Sequence, residues 1–361
     1  NYPIALAPGM GLNAYFAYGV VGGMGYSWQV ALGCVFFSGI LFLIISVLPL
    51  REWIVNAIPK SLKMAIAAGI GLFLALIALK NAGIVVANPA TLVTHGKLVS
   101  WPVLMAVLGF ALIVGLEYRR VMGGVIIGIL VVTVISILAG QQKFAGIIDM
   151  PPSIAPVFFQ MDLAGAMKVG LVTVVFAFLF VDLFDNTGTL IGLAHRGGFM
   201  RPDGTVPRLR GVLISDSAAA AIGAAVGTST TTSYIESASG INAGGRTGLT
   251  AAAVGVLFLL ALFVAPLAGS IPAYATAPAL LYVACLMARG LTEVEWNDLT
   301  EAAPAVITAL AMPFTFSIAD GIAFGFISYA GIKIAAGRFR DVHPAVGILA
   351  VLFVIKYVVI R

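Results

Sequence analysis

Long apolar runs separated by short polar connections dominate this chain, at residues 28–50, 64–86, 101–116, 121–138, 169–181, 249–264 and 342–359. Several approach the roughly 20 residues that an α-helix needs to cross a hydrocarbon core, and none alternates with the period of two that marks a barrel strand. The pattern predicts an all-α polytopic membrane protein. Spans are expected near 28–50, 62–87, 101–117 and 121–140, then near 169–192, 212–226, 248–268, 273–289 and 342–359. Between the two groups, residues 141–168 carry Asp149, Pro151, Pro152 and Asp162 and read as an extracytoplasmic connection with room for a surface helix. The stretch 302–333 fits either one tilted span or two short arms broken between Pro313 and Gly321; Arg338 and Arg340 favour two arms if they are cytoplasmic.

Two segments break the pattern. Residues 3–25 hold Pro3, Pro8 and glycines at 9, 11, 19, 22, 23 and 25, too many breakers for one continuous helix. An extended stretch through Ile4-Ala5-Leu6-Ala7 leading into a helix after Pro8 is expected instead. Residues 225–240 repeat the theme: Thr230-Thr231-Thr232 favours an extended stretch, followed by a helix containing Glu236. Interrupted spans offer uncapped backbone groups inside a bundle, and a pair of them in corresponding halves points to an inverted-repeat transport protein with its site between the breaks. The small-residue run Ala218 to Ala221, just before the second break, permits close helix packing.

Composition removes the aqueous alternatives. The chain is 61% hydrophobic and 10% charged, with a mean hydropathy of +1.07, against about 25% charged residues in ordinary soluble domains. A formal charge of +5 would suggest a nucleic-acid partner in a soluble protein, but the basic residues flank spans. Arg51, Lys60 and Lys63, then Arg119 and Arg120, then His195, Arg196, Arg201, Arg208 and Arg210 fall on one side if the intervening spans pair, and that side is cytoplasmic. Cys34 and Cys285 sit singly in apolar runs and read as small buried hydrophobes. His95, His195 and His343 lie far apart near span ends, and Gly9-Met10-Gly11, Gly123-Gly124 and Gly197-Gly198 make no phosphate loop. No enzyme activity, metal or cofactor is expected. The opening Asn1-Tyr2-Pro3 has neither an initiator Met nor a signal-peptide pattern, so an upstream span is expected to precede it.

The remaining chemistry is a small polar constellation. Asp182, Asp185 and Asn186 stand at i, i+3 and i+4, on one face if the segment is helical. Unsatisfied in lipid they would cost several kcal/mol, on the order of that for any unpaired polar group in hydrocarbon, so they should face protein or a watery cavity. A ligand, proton or cation role competes there with a structural polar knot that includes Thr187 and Thr189. Glu236 beside its helix break can accept N–H donors from a heterocycle, or act as a cap or ion-pair partner. Tyr234 and Phe16 can pack against a flat ring, Phe16 being equally suited to ordinary core. Burial makes Asp182 and Glu236 candidates for carrying a coupled proton, while Asn13, Asp185, Thr189 and broken-helix carbonyls are suitable sodium ligands. Asp320, between Ala319 and Gly321, either lines a pathway or stabilises a broken helix, as Thr230, Thr231 and Thr232 also do.

At these residues the chain resembles nucleobase permeases of the AzgA-like branch of the nucleobase:cation symporter-2 family. The likeness is carried by residues 1–14, by Phe180-Val181-Asp182-Leu183-Phe184-Asp185-Asn186-Thr187-Gly188-Thr189-Leu190 and by Thr230-Thr231-Thr232-Ser233-Tyr234-Ile235-Glu236-Ser237, and it runs over essentially the whole chain. It implies seven plus seven spans in an inverted repeat, with this chain beginning at the third span and the first two absent, short antiparallel strands in spans three and ten, and a homodimer. By that pattern residues 1–50 and 169–270 belong to a core domain, and 51–168 and 271–361 to a gate domain. In related uracil and xanthine carriers a glutamate in span eight and one in span ten contact the base, with a histidine one turn after the first. Asp182 falls where the first glutamate would be, Asn186 replaces the histidine, and Glu236 keeps the second glutamate. The shorter aspartate leaves room for a bicyclic purine or a bridging water, and a histidine relay loses its residue.

The resemblance thus implies alternating-access symport of adenine, guanine or hypoxanthine with a proton across the cell membrane. Sodium coupling stays open, and sulfate or bicarbonate carriage on the same architecture is the rival reading. Buried carboxylates without a matching intramembrane Lys or Arg argue against an anion.

Overall fold

The computed structural model describes residues 2–48, 57–169, 174–201, 206–234 and 236–359, and the side chains of Asp185, Thr187, His195 and Arg196 lie outside the described residues. Among the described residues six helices are long and apolar enough to cross a membrane: Trp28–Val47, Lys60–Asn81, Trp101–Tyr118, Leu209–Val226, Gly248–Gly269 and Ala273–Glu293. This is a polytopic helical membrane protein, as the hydrophobic pattern predicts.

Two compact units divide the chain. The first comprises Asn1–Ala67, Ser153–Leu257 and Glu293–Arg361, and the second Ala68–Pro152 and Phe258–Thr292. In chain order the first elements are β1 (Leu6–Pro8), α1 (Met10–Ala14, continuing as a π-helical stretch Tyr15–Gly23), α2 (Trp28–Val47) and α3 (Lys60–Asn81). They are followed by β2 (Val85–Asn88), β3 (Leu92–His95), α4 (Trp101–Tyr118), α5 (Gly124–Leu138) and α6 (Leu163–Val169). The second half holds α7 (Phe176–Arg196), α8 (Leu209–Val226), β4 (Thr231–Ser233), α9 (Ser237–Asn242), α10 (Gly248–Ala261), α11 (Ala265–Gly269) and α12 (Ala273–Ala288). It closes with α13 (Leu299–Thr315), α14 (Ile318–Ala335) and α15 (Pro344–Val359).

In the first unit, α2 starts where the Ser27 hydroxyl accepts the Val30 N–H at 3.3 Å, and it packs along α8. The contact depends on small residues: a Cβ on Gly39 would stand 2.8 Å from the Ala221 nitrogen, within the predicted alanine run. A buried pair of hydroxyls, Ser46 and Ser217, 3.2 Å apart, also joins the two helices. Both breaks appear where the sequence placed them, and β1 pairs antiparallel with β4 through Leu6↔Ser233, Ala7↔Thr232 and Pro8↔Thr231. The expected helix containing Glu236 starts one residue later, so Glu236 occupies the turn between β4 and α9.

The ambiguous stretch 302–333 resolves into two helices. A turn at Phe316 (φ 53°) and Ser317 joins α13 to α14, with the Ser317 hydroxyl accepting the Asp320 N–H at 3.1 Å. The hairpin is zipped by Gly321 and Gly325, spaced one turn apart: an added Cβ would lie 2.2 Å from Met312 Cγ and from Thr308 Oγ1 respectively. Contrary to the expectation of no intramembrane Lys or Arg, Lys333 near the end of α14 is buried; its ammonium is paired with Glu301, 2.8 Å away.

In the second unit, α12 packs on α4 and α5, and Ala78, Ala82, Ala106 and Ala277 form a core with Ile84, Leu280 and Leu281 around it. The span expected to reach residue 87 ends at Asn81. Gly83 turns the chain at φ 75°, and the β-branched Val85 and Val86 enter a hairpin running from Val85↔His95 to Asn88↔Leu92. Along α10 the side chains of Leu249, Val256, Leu257, Leu259 and Leu260 are exposed, as lipid-facing positions are. In the first unit, the surface helix expected in the 141–168 connection is α6, which packs on α2 and whose Gly165 N–H is taken by the Asp162 carboxylate at 2.8 Å.

Two predictions follow from the α13–α14 hairpin. Gly325→Ala should lower the unfolding free energy by about 1–3 kcal/mol through overpacking, whereas Gly115→Ala, with open space around it, should be neutral or gain up to roughly 1 kcal/mol; denaturation of the detergent-solubilised protein compares them. At the start of α13, hydrogen bonds from Thr300 and then Arg338 hold the Asp298 carboxyl well below the usual carboxylate range. A depressed folded pKa contributes stability that is complete above the unfolded value and lost as pH falls through the folded one. The thermal midpoints of the wild type and Asp298→Asn should therefore differ at neutral pH and converge as pH drops below about 4.

Candidate functional site

The paired breaks supply the frame. β1 and β4 are three residues each, too short to be independently stable, and their open backbone groups are taken up locally. The Gly9 N–H reaches the Thr230 carbonyl at 3.1 Å, and the Ala5 N–H reaches the Ser237 hydroxyl at 3.1 Å. Gly9 is required by proximity: a Cβ there would lie 2.9 Å from Thr232 Cγ2. Asn13 on α1 accepts a short hydrogen bond from Ser229, so side chains as well as backbone cross between the two segments.

Behind β4 stands Asp216 on α8, fully buried. Its Oδ1 accepts the Ser233 N–H at 2.8 Å and the Ser233 hydroxyl at 3.0 Å, and its Oδ2 accepts the Asn186 side-chain amide in a short contact. One carboxylate thereby ties together the strand, α8 and α7. The Asn186 amide gives one N–H to Asp216 and leaves Oδ1 buried; among the described residues that atom, Thr230 Oγ1 and Thr232 Oγ1 find no hydrogen-bond partner. Buried polar atoms are nearly always satisfied, so such a group of exceptions marks a place built for a polar guest or water.

Asp182 lies one turn before Asn186 on the same face of α7 and is 1% exposed. The same helix packs on β4, on α9 and on α1. Its Phe178 ring stands 5.1 Å from Tyr15 and 6.4 Å from Phe16, centroid to centroid, so Phe16 is part of an aromatic cluster over α7 and is only half-buried. Tyr234 and Glu236 are half-buried at the end of β4, where the Tyr234 carbonyl accepts the Ser237 N–H at 3.1 Å.

The structure thus brings Asn13, Asn186, Thr230, Thr231 and Thr232 into one connected set, with Asp182 a turn away and Tyr234 and Glu236 in the adjoining turn. The Asp185 side chain lies outside the described residues. Asp320, in the first turn of α14, accepts a short hydrogen bond from Tyr357 on α15. Asp216 is not among the residues expected from the sequence. The signal was available in the lone carboxylate of an eighteen-residue apolar helix, the same signal that singled out Asp182. Asp216→Ala would strand the Ser233 N–H and the Asn186 amide, and should cost on the order of 3 kcal/mol; Asp216→Asn, which keeps an acceptor, should cost less, as read from denaturation midpoints.

A family described as a permease family matches residues 1–324. The adenine permease AdeP of Escherichia coli (strain K12) is 49% identical over 360 residues, covering 100% of this chain and 81% of that protein. The guanine/hypoxanthine permease PbuG of Bacillus subtilis (strain 168) is 45% identical over 364 residues, covering 100% of this chain and 82% of that one. Among solved structures, the transmembrane domain of the cyanobacterium bicarbonate transporter BicA superposes with a TM-score of 0.68 at 16% identity, over 89% of this chain and 84% of that chain. At that identity the likeness concerns the fold alone.

Proposed function

Since this chain belongs to the permease family, in the AzgA-like branch of the nucleobase:cation symporter-2 carriers, we infer that it moves purine nucleobases across the membrane by secondary active transport, holding the base at the paired breaks. The observation that carries the reading is the β1–β4 crossing, which gathers a buried carboxylate, an amide oxygen and threonine hydroxyls inside an apolar bundle. Asp182, Glu236 and the Asn186 Oδ1 make the set rich in acceptors. A purine brings ring and exocyclic N–H donors to such a set, and a flat face to Phe16 and Tyr234. A sulfate or bicarbonate would meet negative charge there, and Lys333, the one buried ammonium among the described residues, is already neutralised by Glu301. Adenine, guanine and hypoxanthine are the candidate bases, after the substrates named for AdeP and PbuG.

Proton symport completes the proposal, with Asp182 and Glu236 as carriers of the proton and Asp185 as a further candidate. Two halves of seven spans each would alternate access, with core segments 1–50 and 169–270 moving against gate segments 51–168 and 271–361, in a homodimer. The equivalence of β1–α1 and β4–α9, each a strand followed by a short helix, supports the repeat. Of the gate segments, residues 51–67, 153–168 and 293–361 cluster with the first compact unit and 68–152 and 271–292 with the second, while core residues 258–270 cluster with the second.

The test is uptake of labelled adenine, guanine, hypoxanthine and bicarbonate into proteoliposomes under separate proton and sodium gradients. Saturable purine uptake driven by the proton gradient is expected, and Glu236→Gln should reduce it at least roughly tenfold without lowering the melting midpoint, a loss of about 1.4 kcal/mol or more. Bicarbonate uptake without purine uptake would sink the assignment.

A further inference from the structure

Five charged side chains form one network where α13 begins and α14 ends, opposite the turn of their hairpin. Lys333 is 1% exposed, its Nζ 2.8 Å from Glu301 Oε1, 3.8 Å from Asp298 Oδ2 and 5.4 Å from the centre of the Tyr329 ring. The Tyr329 hydroxyl donates to the same Glu301 oxygen at 3.1 Å. Asp298, which caps α13 by accepting the Thr300 N–H at 2.8 Å, also accepts from Arg338 at 2.6 Å, and Arg338 donates to Asp341 at 2.8 Å. The neighbouring Lys60–Glu293 pair is exposed and stands outside this network.

Stability alone does not account for a buried lysine. Desolvating an ammonium and a carboxylate is costly enough that a well-packed apolar pair of similar volume usually holds helix ends equally well or better. What a hydrogen-bonded ion network adds is geometry: one register and one orientation in which every charge is met. Here it closes the only open end of a hairpin whose other end is the Phe316–Ser317 turn and whose middle is zipped by Gly321 and Gly325. The closed hairpin is a stiff body, and its second helix, α14, packs against α7, which carries Asp182 and Asn186.

We infer that Lys333 is a positioning residue for transport: through Glu301 and Asp298 it locks the α13–α14 hairpin into one shape, so that α14 presents a fixed surface to α7 as the carrier changes state. The role rests on the purine-transport reading above. Because the groups that meet Lys333 are Glu301 and Asp298 of α13 and Tyr329 beside it on α14, it acts on turnover and leaves affinity alone.

The decisive variant is the double exchange Lys333→Met with Glu301→Met, which removes the charges while refilling the volume and leaves no stranded ion. It should melt at or above the wild-type midpoint and bind the preferred purine with a Kd within twofold of wild type. Its maximal uptake rate should nonetheless fall at least tenfold, with KM unchanged. The single exchange Lys333→Met should lose both stability and rate, and the charge-reversed pair Lys333→Glu with Glu301→Lys should recover part of the rate. A double variant that folds and transports at the wild-type rate would reduce the network to a structural tie and overturn the inference, as would a loss lying in Kd and KM. If the wild-type protein takes up no purine in the same vesicles, the transport reading falls and the positioning role with it; purine uptake by wild type and double variant alike removes the positioning role only.

Discussion

Peptide groups freed by a broken helix inside a bilayer have no water to turn to, and the pairing of β1 with β4 answers that constraint within the protein. Each strand opens because its own sequence cannot stay helical, with Pro3, Pro8 and Gly9 on one side and three consecutive threonines on the other. Neither is stable alone. Together they satisfy each other's backbone, and the donors left over go to Thr230, Ser237 and Asp216. A polar site at the centre of an apolar bundle is the consequence, since the same breaks that demand partners also expose side chains such as Asn13 and Thr232 to one another's surroundings.

Two buried charges serve this arrangement in different ways. Asp216 accepts three hydrogen bonds at once and so ties β4, α7 and α8 into a single unit. Lys333 does the corresponding work for a hairpin outside the site, where its ammonium is enclosed by Glu301, Asp298 and the face of Tyr329. In both places the charge is met by hydrogen bonds in defined directions, which is what makes burial tolerable and the geometry unique. The glycine and alanine contacts, Gly39 against Ala221 and Gly325 against Thr308, supply closeness without direction. Shape in this protein comes from combining the two.

Much of the site is legible in the chain because lipid makes polarity expensive. An aspartate and an asparagine one turn apart in an apolar run, and a glutamate after a threonine tract, stand out by residue type and spacing alone. Asp216 escapes the same reading because its neighbours are small residues that announce packing more loudly than chemistry. Glu236 is read one residue too deep into a helix because the end of a strand and the start of a helix differ by a single peptide's orientation. The β2–β3 hairpin is hidden for a related reason: Val85 and Val86 prolong an apolar run that hydropathy cannot distinguish from helix.

What the sequence determined by itself is the class of protein, its apolar spans, the two interruptions and most of the side chains at them, because each of these follows from local composition and from the cost of polarity in hydrocarbon. Only the tertiary structure decided which partners those groups take: Ser229 for Asn13, Asp216 for Asn186 and Ser233, Tyr357 for Asp320 and Glu301 for Lys333. Such pairs join residues that are 17 to 216 positions apart, and no local pattern encodes a contact whose distance is set by how helices cross.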